Sequence, residues 1–177
     1  IAMKFFLTNI ENMCCLENSY YDVILCMGDI LSYSNYHKGL KEISRVIKRG
    51  GLIAGSVDSI LGYLNIFKRT PKEFSTKRII NFLKSGNIIG TDGFKLHAFL
   101  PNELEGVLQK YGFEEVEIYN LPFMSSYFWD DAHFMKIFEK KYFINEMIKI
   151  ECKFIGKFKG CGGSGHHHLY FFAKRRK

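Results

Sequence analysis

The sequence lacks two features of proteins that enter or cross membranes. No apolar run reaches the roughly 18 residues that a membrane-spanning helix needs. The first residues show no basic region followed by an apolar stretch and a small-residue cleavage site, which is the pattern of a secretory signal. We therefore predict a soluble, cytoplasmic protein without membrane contact. With 47% hydrophobic residues in 177, the chain has enough apolar surface to bury the core of one domain.

The usual signs of disulfide bonds and zinc sites are missing as well. The five cysteines, an odd number, include no Cys-x-x-Cys pair, so we expect reduced thiols. Cys161 together with His166, His167 and His168 is the nearest approach to a metal-binding pattern. Neighbouring side chains of a strand point to opposite faces, so three consecutive histidines cannot all converge on one ion. We predict no metal site.

The sequence shows no concentrated basic face. Lys and Arg outnumber Asp and Glu by 25 to 18, a net charge of +7, but four of the positive charges lie in the terminal run 174–177. The many Phe and Tyr residues lie in apolar, periodic segments, where they are expected to form a core rather than a surface that stacks on bases. This distribution argues against nucleic-acid binding.

What the sequence does contain is an alternation of strand and helix patterns, typical of an α/β fold with a mostly parallel sheet. The apolar run 20–27 suits a strand covered on both faces. Leu40, Ile43 and Ile47 then share one face of a helix, which Gly50-Gly51 is expected to end. The predicted strands are 3–8, 20–27, 52–57, 115–121 and 169–173, the predicted helices are 36–49, 101–111 and 131–151, and 60–93 is expected to hold two short helices and a loop.

Four segments resemble, in order and spacing, parts of one family. They are Tyr21–Tyr33, with its Tyr-Asp-Val strand; Glu42–Gly51, with Arg-Val-Ile-Lys-Arg-Gly-Gly; Leu100–Phe113, with Leu-Pro-Asn-Glu-Leu and Tyr-Gly-Phe; and Gly165–Phe171. Together they resemble the middle and end of the class I (Rossmann-like) S-adenosylmethionine-dependent methyltransferases. Arg49 stands where that family most often has proline.

The resemblance implies a sheet of order 3-2-1-4-5-7-6 with an antiparallel last strand, in which 3–8 is strand 3 and 20–27 is strand 4. The family's first strand and its Gly-rich turn have no counterpart in the sequence, so we expect the C-terminal portion of such a domain, incomplete at its N-terminus. Strand 20–27 would then expose an apolar edge, a route to a homo-oligomer. We expect one domain over 1–177, with insertions or lid elements at 60–93 and 123–160.

The resemblance also places a cofactor, S-adenosylmethionine, at two turns. The turn after residue 8 matches the family's adenine-binding turn, with asparagine where aspartate is usual; an ordinary strand-end turn is the alternative. The end of strand 20–27 lies beside the position where the family holds the methionine moiety, and ligands of open α/β sheets bind at such carboxyl ends. The glycine there could instead only turn the chain. The candidate cofactor contacts are Asn9, Ile10, Cys26, Met27 and Gly28.

The methyl acceptor is expected on the far side of the same strand end, near Asp29, Ser32, Tyr33 and His97. Methyl transfer depends on positioning and on negative charge near the sulfonium. A general base is needed only if the acceptor must lose a proton, and Asp29 and Tyr33 are the candidates. A helix cap or a packing role is the alternative for both, and a structural surface histidine is the alternative for His97.

These implications lead to three hypotheses about function. The first is an S-adenosylmethionine-dependent methyltransferase acting on a small-molecule acceptor, because the strand end lacks the Asn-Pro-Pro-Tyr type of motif found in enzymes that methylate bases of nucleic acids. The second is a catalytically inactive binding or scaffold subunit, suggested by the missing glycine turn and by Asn9. The third is an RNA methyltransferase, suggested by the basic tail.

Overall fold

The computed structural model describes residues 3–60, 62–63, 75–89, 93, 95–120, 145–146, 149 and 168–177. Most of the predicted helix 131–151, nearly all of the proposed lid 123–160 and the residues Cys161, His166 and His167 lie outside the described residues. Among the described residues, no helix is long and apolar enough to cross a membrane.

The described chain forms six strands and three helices. The strands are β1 Tyr21–Cys26, β2 Ile47–Asp58, β3 Asn87–Ile89, β4 Lys95–His97, β5 Phe113–Asn120 and β6 His168–Arg175. The helices are α1 Tyr36–Val46, α2 Thr76–Ser85 and α3 Pro101–Lys110. The predicted strands 20–27, 52–57, 115–121 and 169–173 and the predicted helix 101–111 are thus confirmed, with shifts of a few residues at their ends, as is usual for boundaries.

Four of the strands build the main sheet, in the order β1-β2-β6-β5. β1 and β2 are parallel, whereas β6 is antiparallel to both β2 and β5. β1, β2 and β5 therefore run in one direction and β6 in the other. This arrangement is the 4-5-7-6 half of the expected sheet, with its antiparallel last strand. β3 and β4 form a separate antiparallel pair.

One apolar core holds the sheet and two of the helices together. Leu40 and Ile43 of α1, and Leu104 and Leu108 of α3, belong to the same buried cluster as Ile53 and Phe171 of the sheet. Leu40, Leu104, Leu108 and Phe171 have no exposed surface. The 3.6-residue spacing of apolar positions in the two helices therefore identified the faces that pack on the core.

The predicted strand 3–8 is wrong. These residues form no strand, and the side chains of Phe5 and Leu7 are 89% and 106% exposed. A strand needs a neighbour that accepts and donates its backbone hydrogen bonds, and no strand of the described residues pairs with this segment.

The predicted helix 36–49 is too long by three residues. α1 ends at Val46, and Ile47 is already extended, with φ −77° and ψ 141°, because it pairs with Tyr21 of β1. The register then jumps from Tyr21 opposite Ile47 to Val23 opposite Leu52, and Gly50 adopts a positive φ of 77° within this bulge. Gly50-Gly51 therefore allows a bulge in β2 and does not end the helix.

Candidate active site

A groove of about 740 Å³ runs along the free edge of β1, on the side away from β2. One wall consists of β1 residues and their continuation, where Val23, Leu25 and Met27 are 55%, 69% and 58% exposed. The opposite wall is the segment 4–17, with Ile10 and Met13 among its members. A cavity of this size is in the range of small-molecule and cofactor sites.

Helix α1 holds the opposite wall of the groove in place through one ion pair. Glu42 accepts a hydrogen bond of 2.8 Å from the Met13 N–H and pairs with Arg45 at 2.7 Å. Arg45 in turn donates to the carbonyl oxygens of Met13 and Leu16, at 2.8 and 3.0 Å. Backbone groups that would otherwise compete for water are thereby satisfied, and the wall becomes an ordered surface.

Replacing Arg45 with leucine is therefore expected to loosen the segment 9–18. The two carbonyls lose their donors, and we expect a loss of about 1 to 2 kcal/mol of stability, since hydrogen bonds to charged groups contribute on this scale. Hydrogen–deuterium exchange should accelerate in 9–18 and remain unchanged in β2. Lys41→Leu, an exposed position of the same helix, is the control; equal acceleration in both variants would contradict this role of Arg45.

The chain turns sharply where β1 ends. Gly28 and Asp29 both have positive φ, 76° and 55°, a conformation that glycine adopts freely and aspartate adopts at a cost. The Ser32 N–H closes the turn on the carbonyl of Asp29 at 2.7 Å. No atom lies within 4 Å of the position that a Cβ of Gly28 would occupy, so the space in front of this turn is open.

Three ionisable side chains meet beyond this turn: Asp29, Asp58 at the end of β2 and His168 at the start of β6. His168 Nδ1 lies 2.9 Å from Asp29 Oδ2 and 4.0 Å from Asp58 Oδ1. We call these residues the Asp-Asp-His cluster. Serines position its backbone: the Asp58 N–H donates to Ser32 Oγ at 2.8 Å, and the Asp29 N–H donates to Ser56 Oγ at 3.3 Å.

The cluster perturbs the acidity of its members. Burial and the charge of Asp29 raise the pKa of Asp58 to about 6. Burial alone would raise the pKa of Asp29, but hydrogen bonds from His168 and Ser56 outweigh it, and the pKa lies below its ordinary value. The hydrogen bond with Asp29 raises the pKa of His168. The carboxylate of Asp29 is thus stabilised in its ionised form beside the open turn, whereas the ionised form of Asp58 is disfavoured.

Two of the residues predicted for the site are poor proton acceptors or nucleophiles. Burial and the nearby charge and hydrogen bond of Asp58 raise the pKa of Tyr33 to about 12. Burial, with the charge of Asp29, raises the pKa of Cys26 to about 12, so its thiol stays protonated at neutral pH. Met27 lies in the groove and Ile10 on its opposite wall. Asn9 is exposed, and its Oδ1 accepts the Glu11 N–H at 2.9 Å.

His97 is bound into the core of the small β3–β4 sheet. Only 7% of it is exposed, and its ring nitrogens lie 3.0 Å from Asn87 Oδ1 and 2.8 Å from Glu103 Oε1. Its backbone N–H donates to the Ser32 carbonyl at 2.8 Å. His97 therefore links β4 to α3 and to the turn after β1. It is not the surface histidine of the structural alternative, and acceptor contact stays a prediction.

Sequence reasoning missed Asp58 and His168 as members of this site. The signal for Asp58 was available: it ends the strand parallel to β1, and the carboxyl ends of neighbouring parallel strands meet at one edge. His168 carried no such signal, because its place opposite Asp58 follows from the antiparallel register of β2 and β6. A histidine that begins an antiparallel strand lies at the same edge as residues that end parallel ones.

Comparison with solved structures identifies the fold. A methyltransferase from Thermotoga maritima, described as a possible histamine N-methyltransferase, matches 94% of this chain and 61% of its own at 16% identity and a TM-score of 0.53. An S-adenosylmethionine-dependent methyltransferase from Methanosarcina mazei matches 98% of this chain and 67% of its own at 14% identity and a TM-score of 0.56. The cyclase SpnF matches 97% of this chain and 55% of its own at 16% identity and a TM-score of 0.53.

The chain therefore has the Rossmann-like fold of the class I methyltransferases, as the resemblance implied. It spans about three fifths of the length of the Thermotoga protein. No protein-family model matches the sequence, and no curated protein matches it significantly.

Proposed function

We propose that this chain belongs to an S-adenosylmethionine-dependent methyltransferase that acts on a small-molecule acceptor. One observation carries the proposal: in a sheet of methyltransferase order, a nucleoside-sized groove and a buried acidic cluster flank the same carboxyl end of β1. Ligands of open α/β sheets bind at such ends, and the cluster supplies the charge that methyl transfer uses.

The residues along the groove fit the cofactor. Cys26 and Met27 offer an apolar floor and Ile10 an apolar wall, suited to the flat base and the methylene groups of the methionine moiety, while the open space before Gly28 leaves room for a ligand against the backbone. S-adenosylmethionine, when bound, supplies a methyl group on a positively charged sulfonium. Asp29, held as an anion beside this turn, would attract that charge.

The same turn separates the cofactor from the acceptor. Ser32 and Tyr33 follow Asp29 on the side of the Asp-Asp-His cluster, where an acceptor would approach. Of the residues there, Asp58 is better suited than Tyr33 to accept a proton, since a useful base has a pKa near the working pH and that of Asp58 is raised to about 6. We assign Asp29 to charge stabilisation and leave Tyr33 the role of hydrogen-bonding Asp58.

The basic tail offers no support for an RNA substrate. Arg175 donates to the carbonyls of Tyr111 and Gly112 at 3.2 and 2.8 Å. Lys174 pairs with Glu115 at 3.2 Å and Arg176 with Glu114 at 3.5 Å. Three of the four basic residues are thus engaged within the protein, which favours a small-molecule acceptor over a nucleic acid.

A binding role without methyl transfer is the second candidate, because the cyclase SpnF has this fold and the Gly-rich run of the sequence, 160–165, follows the last predicted helix and not a first strand. Away from the Gly28 end, which is assigned to the cofactor, the exposed edge of β1 at Val23 and Leu25 also favours pairing with a further strand, from a second copy or another segment. We further propose that residues 1–177 form one domain with 60–93 and 123–160 as inserted elements, since β1, β2, β5 and β6 share one sheet.

Calorimetric titration with S-adenosylhomocysteine tests the cofactor site. Met27→Arg is expected to reduce the affinity at least tenfold, a change of about 1.4 kcal/mol, because a long cation would fill the groove. Ile80→Arg is the control, since Ile80 is comparably exposed, at 45% against 58%, but lies on α2 and is not among the residues lining the groove.

Two outcomes of this titration would count against the proposal. Absence of binding in every variant would favour the scaffold hypothesis, and equal affinities in Met27→Arg and Ile80→Arg would place the cofactor elsewhere. Transfer of a labelled methyl group to a small-molecule extract, but not to RNA, would support the proposed acceptor class.

A further inference from the structure

The three donors of the Asp-Asp-His cluster converge closely enough to share a ligand. One donor atom each of Asp29, Asp58 and His168 lies within 4.8 Å of the others. Each comes from a different strand end, and Asp58 and His168 face each other across the register of β2 and β6. The register of the main sheet therefore fixes Asp58 and His168, and the hydrogen bond from the Asp29 N–H to Ser56 Oγ holds the turn that carries Asp29, as a preorganised metal site requires.

The two carboxylates are incompletely satisfied. The side chain of Asp58 is only 4% exposed; Tyr33 and Ser32 hydrogen-bond this carboxylate, but its Oδ2 is buried without a hydrogen-bond partner. Asp29 Oδ1 is in the same state, on a side chain that is 12% exposed. Buried carboxylate oxygens are normally hydrogen-bonded or bound to a metal, because their desolvation is otherwise uncompensated. Two such oxygens beside one histidine favour the binding of a cation at this position.

The imidazole of His168 alone does not hydrogen-bond both carboxylates. Its Nδ1 is 2.9 Å from Asp29 Oδ2 but 4.0 Å from Asp58 Oδ1. The single hydrogen on this nitrogen can serve only the nearer carboxylate. The ring is 39% exposed at its side chain, so the cluster has an opening to solvent through which an ion could enter.

We propose that the Asp-Asp-His cluster binds a divalent cation of the Mn²⁺ or Zn²⁺ class. Two carboxylates and one imidazole suit these ions, since carboxylates favour Mn²⁺ and imidazole favours Zn²⁺. With bonds of about 2.1 Å, neighbouring ligand atoms lie about 3 Å apart and opposite ones about 4 Å apart. The separations of 2.9 and 4.0 Å between His168 Nδ1 and the nearer oxygen of each aspartate fall within this span.

Three protein ligands leave coordination positions open, as in catalytic metal sites. Resting on the proposed function, the inference names an acceptor class: a molecule that fills these positions with oxygen donors, such as a hydroxyl or carboxylate group close to the methylated atom. Asp29 and Asp58 would then serve as ligands of the cation, which would orient the acceptor toward the sulfonium and take the place of the charge-stabilising and proton-accepting roles given to these carboxylates above.

Titration of the full chain with Mn²⁺, followed by electron paramagnetic resonance, tests the site. The wild type is expected to bind one Mn²⁺, and Asp58→Asn and Asp29→Asn are each expected to bind at least tenfold more weakly. The aspartate variants are the decisive ones, because His166 and His167 precede His168 in the sequence and could bind metal on their own. Asp22→Asn is the control, an exposed carboxylate at the other end of β1.

Circular dichroism of each variant checks that it folds. If a cluster variant does not fold, the wild-type melting temperature decides: it must rise with Mn²⁺ or Zn²⁺ concentration, as a native-state ligand requires, while Mg²⁺ at equal ionic strength has a smaller effect. An unchanged melting temperature, or equal Mn²⁺ affinity in the wild type and Asp58→Asn, would overturn the proposal. Cation binding without S-adenosylhomocysteine binding would contradict only the proposed function. Binding of S-adenosylhomocysteine without cation binding would contradict only the cation site.

Discussion

Replacing Phe171 with alanine is expected to lower the free energy of unfolding by about 3 to 5 kcal/mol, the usual cost of removing a fully buried aromatic ring. Phe171 has no exposed surface and lies in β6, where it pairs with Gly55 of β2 and Ile118 of β5. Its ring belongs to the core cluster shared by the main sheet, α1 and α3. A cavity at this position would remove packing contacts from the cluster that joins the sheet to α1 and α3.

The neighbouring residue provides a matched control. Phe172 is 52% exposed because adjacent side chains of a strand point to opposite faces. Its ring meets only the edge of Tyr119 at 6.0 Å among the ring contacts of the described residues. Phe172→Ala is expected to cost less than about 1.5 kcal/mol. Urea unfolding followed by circular dichroism measures both variants, and equal losses would contradict the assignment of the two faces.

Replacing Gly55 with valine is expected to abolish folding or to cost about 3 kcal/mol or more, at the upper end of the range for overpacked cores. A Cβ at Gly55 would lie 2.6 Å from the carbonyl oxygen of Cys26 and 2.7 Å from the ring of Phe171. The carbonyl belongs to β1, which pairs with β2 at this position. The backbone cannot yield there without separating β1 from β2.

Because β1 and β2 carry Asp29 and Asp58 at their ends, any Gly55→Val protein that does fold should also lose Mn²⁺ affinity. Gly106→Val is the control: Gly106 lies in α3, and nothing approaches its Cβ position within 4 Å. Valine there is expected to change stability by less than about 1 kcal/mol, since it favours a helix slightly more than glycine. Thermal unfolding compares the variants; a well-folded Gly55→Val protein would contradict the close packing described for β2.

The sequence predicted the elements that form by local rules. Leu40 and Ile43 marked the buried face of α1, Leu104 and Leu108 that of α3, and the apolar run at 20–27 became β1. Errors occurred where a partner decides the outcome. Residues 3–8 are apolar enough for a strand but pair with no strand in the described structure. Ile47 has helical spacing but pairs with Tyr21, so hydrogen bonding to β1 ends the helix early.

For the candidate site, too, the sequence predicted only some of the residues. The end of β1, with Met27, Gly28 and Asp29, was identified because carboxyl ends of strands are where ligands bind in this class of fold. His97 was assigned by its position in the chain alone, and the structure places its ring between Asn87 and Glu103. The exposed apolar edge of β1 was anticipated from the family's sheet order.

Periodicity and the family resemblance determined which segments are strands and helices, the order of four strands and the end of the sheet at which a ligand is expected. The tertiary structure alone decided that Asp58 and His168 join Asp29 in one cluster. Periodicity specifies the face on which a side chain lies, but not the strand or the residue it will face. That depends on strand neighbours and register, and here the register of β2 with β6 places Asp58 opposite His168.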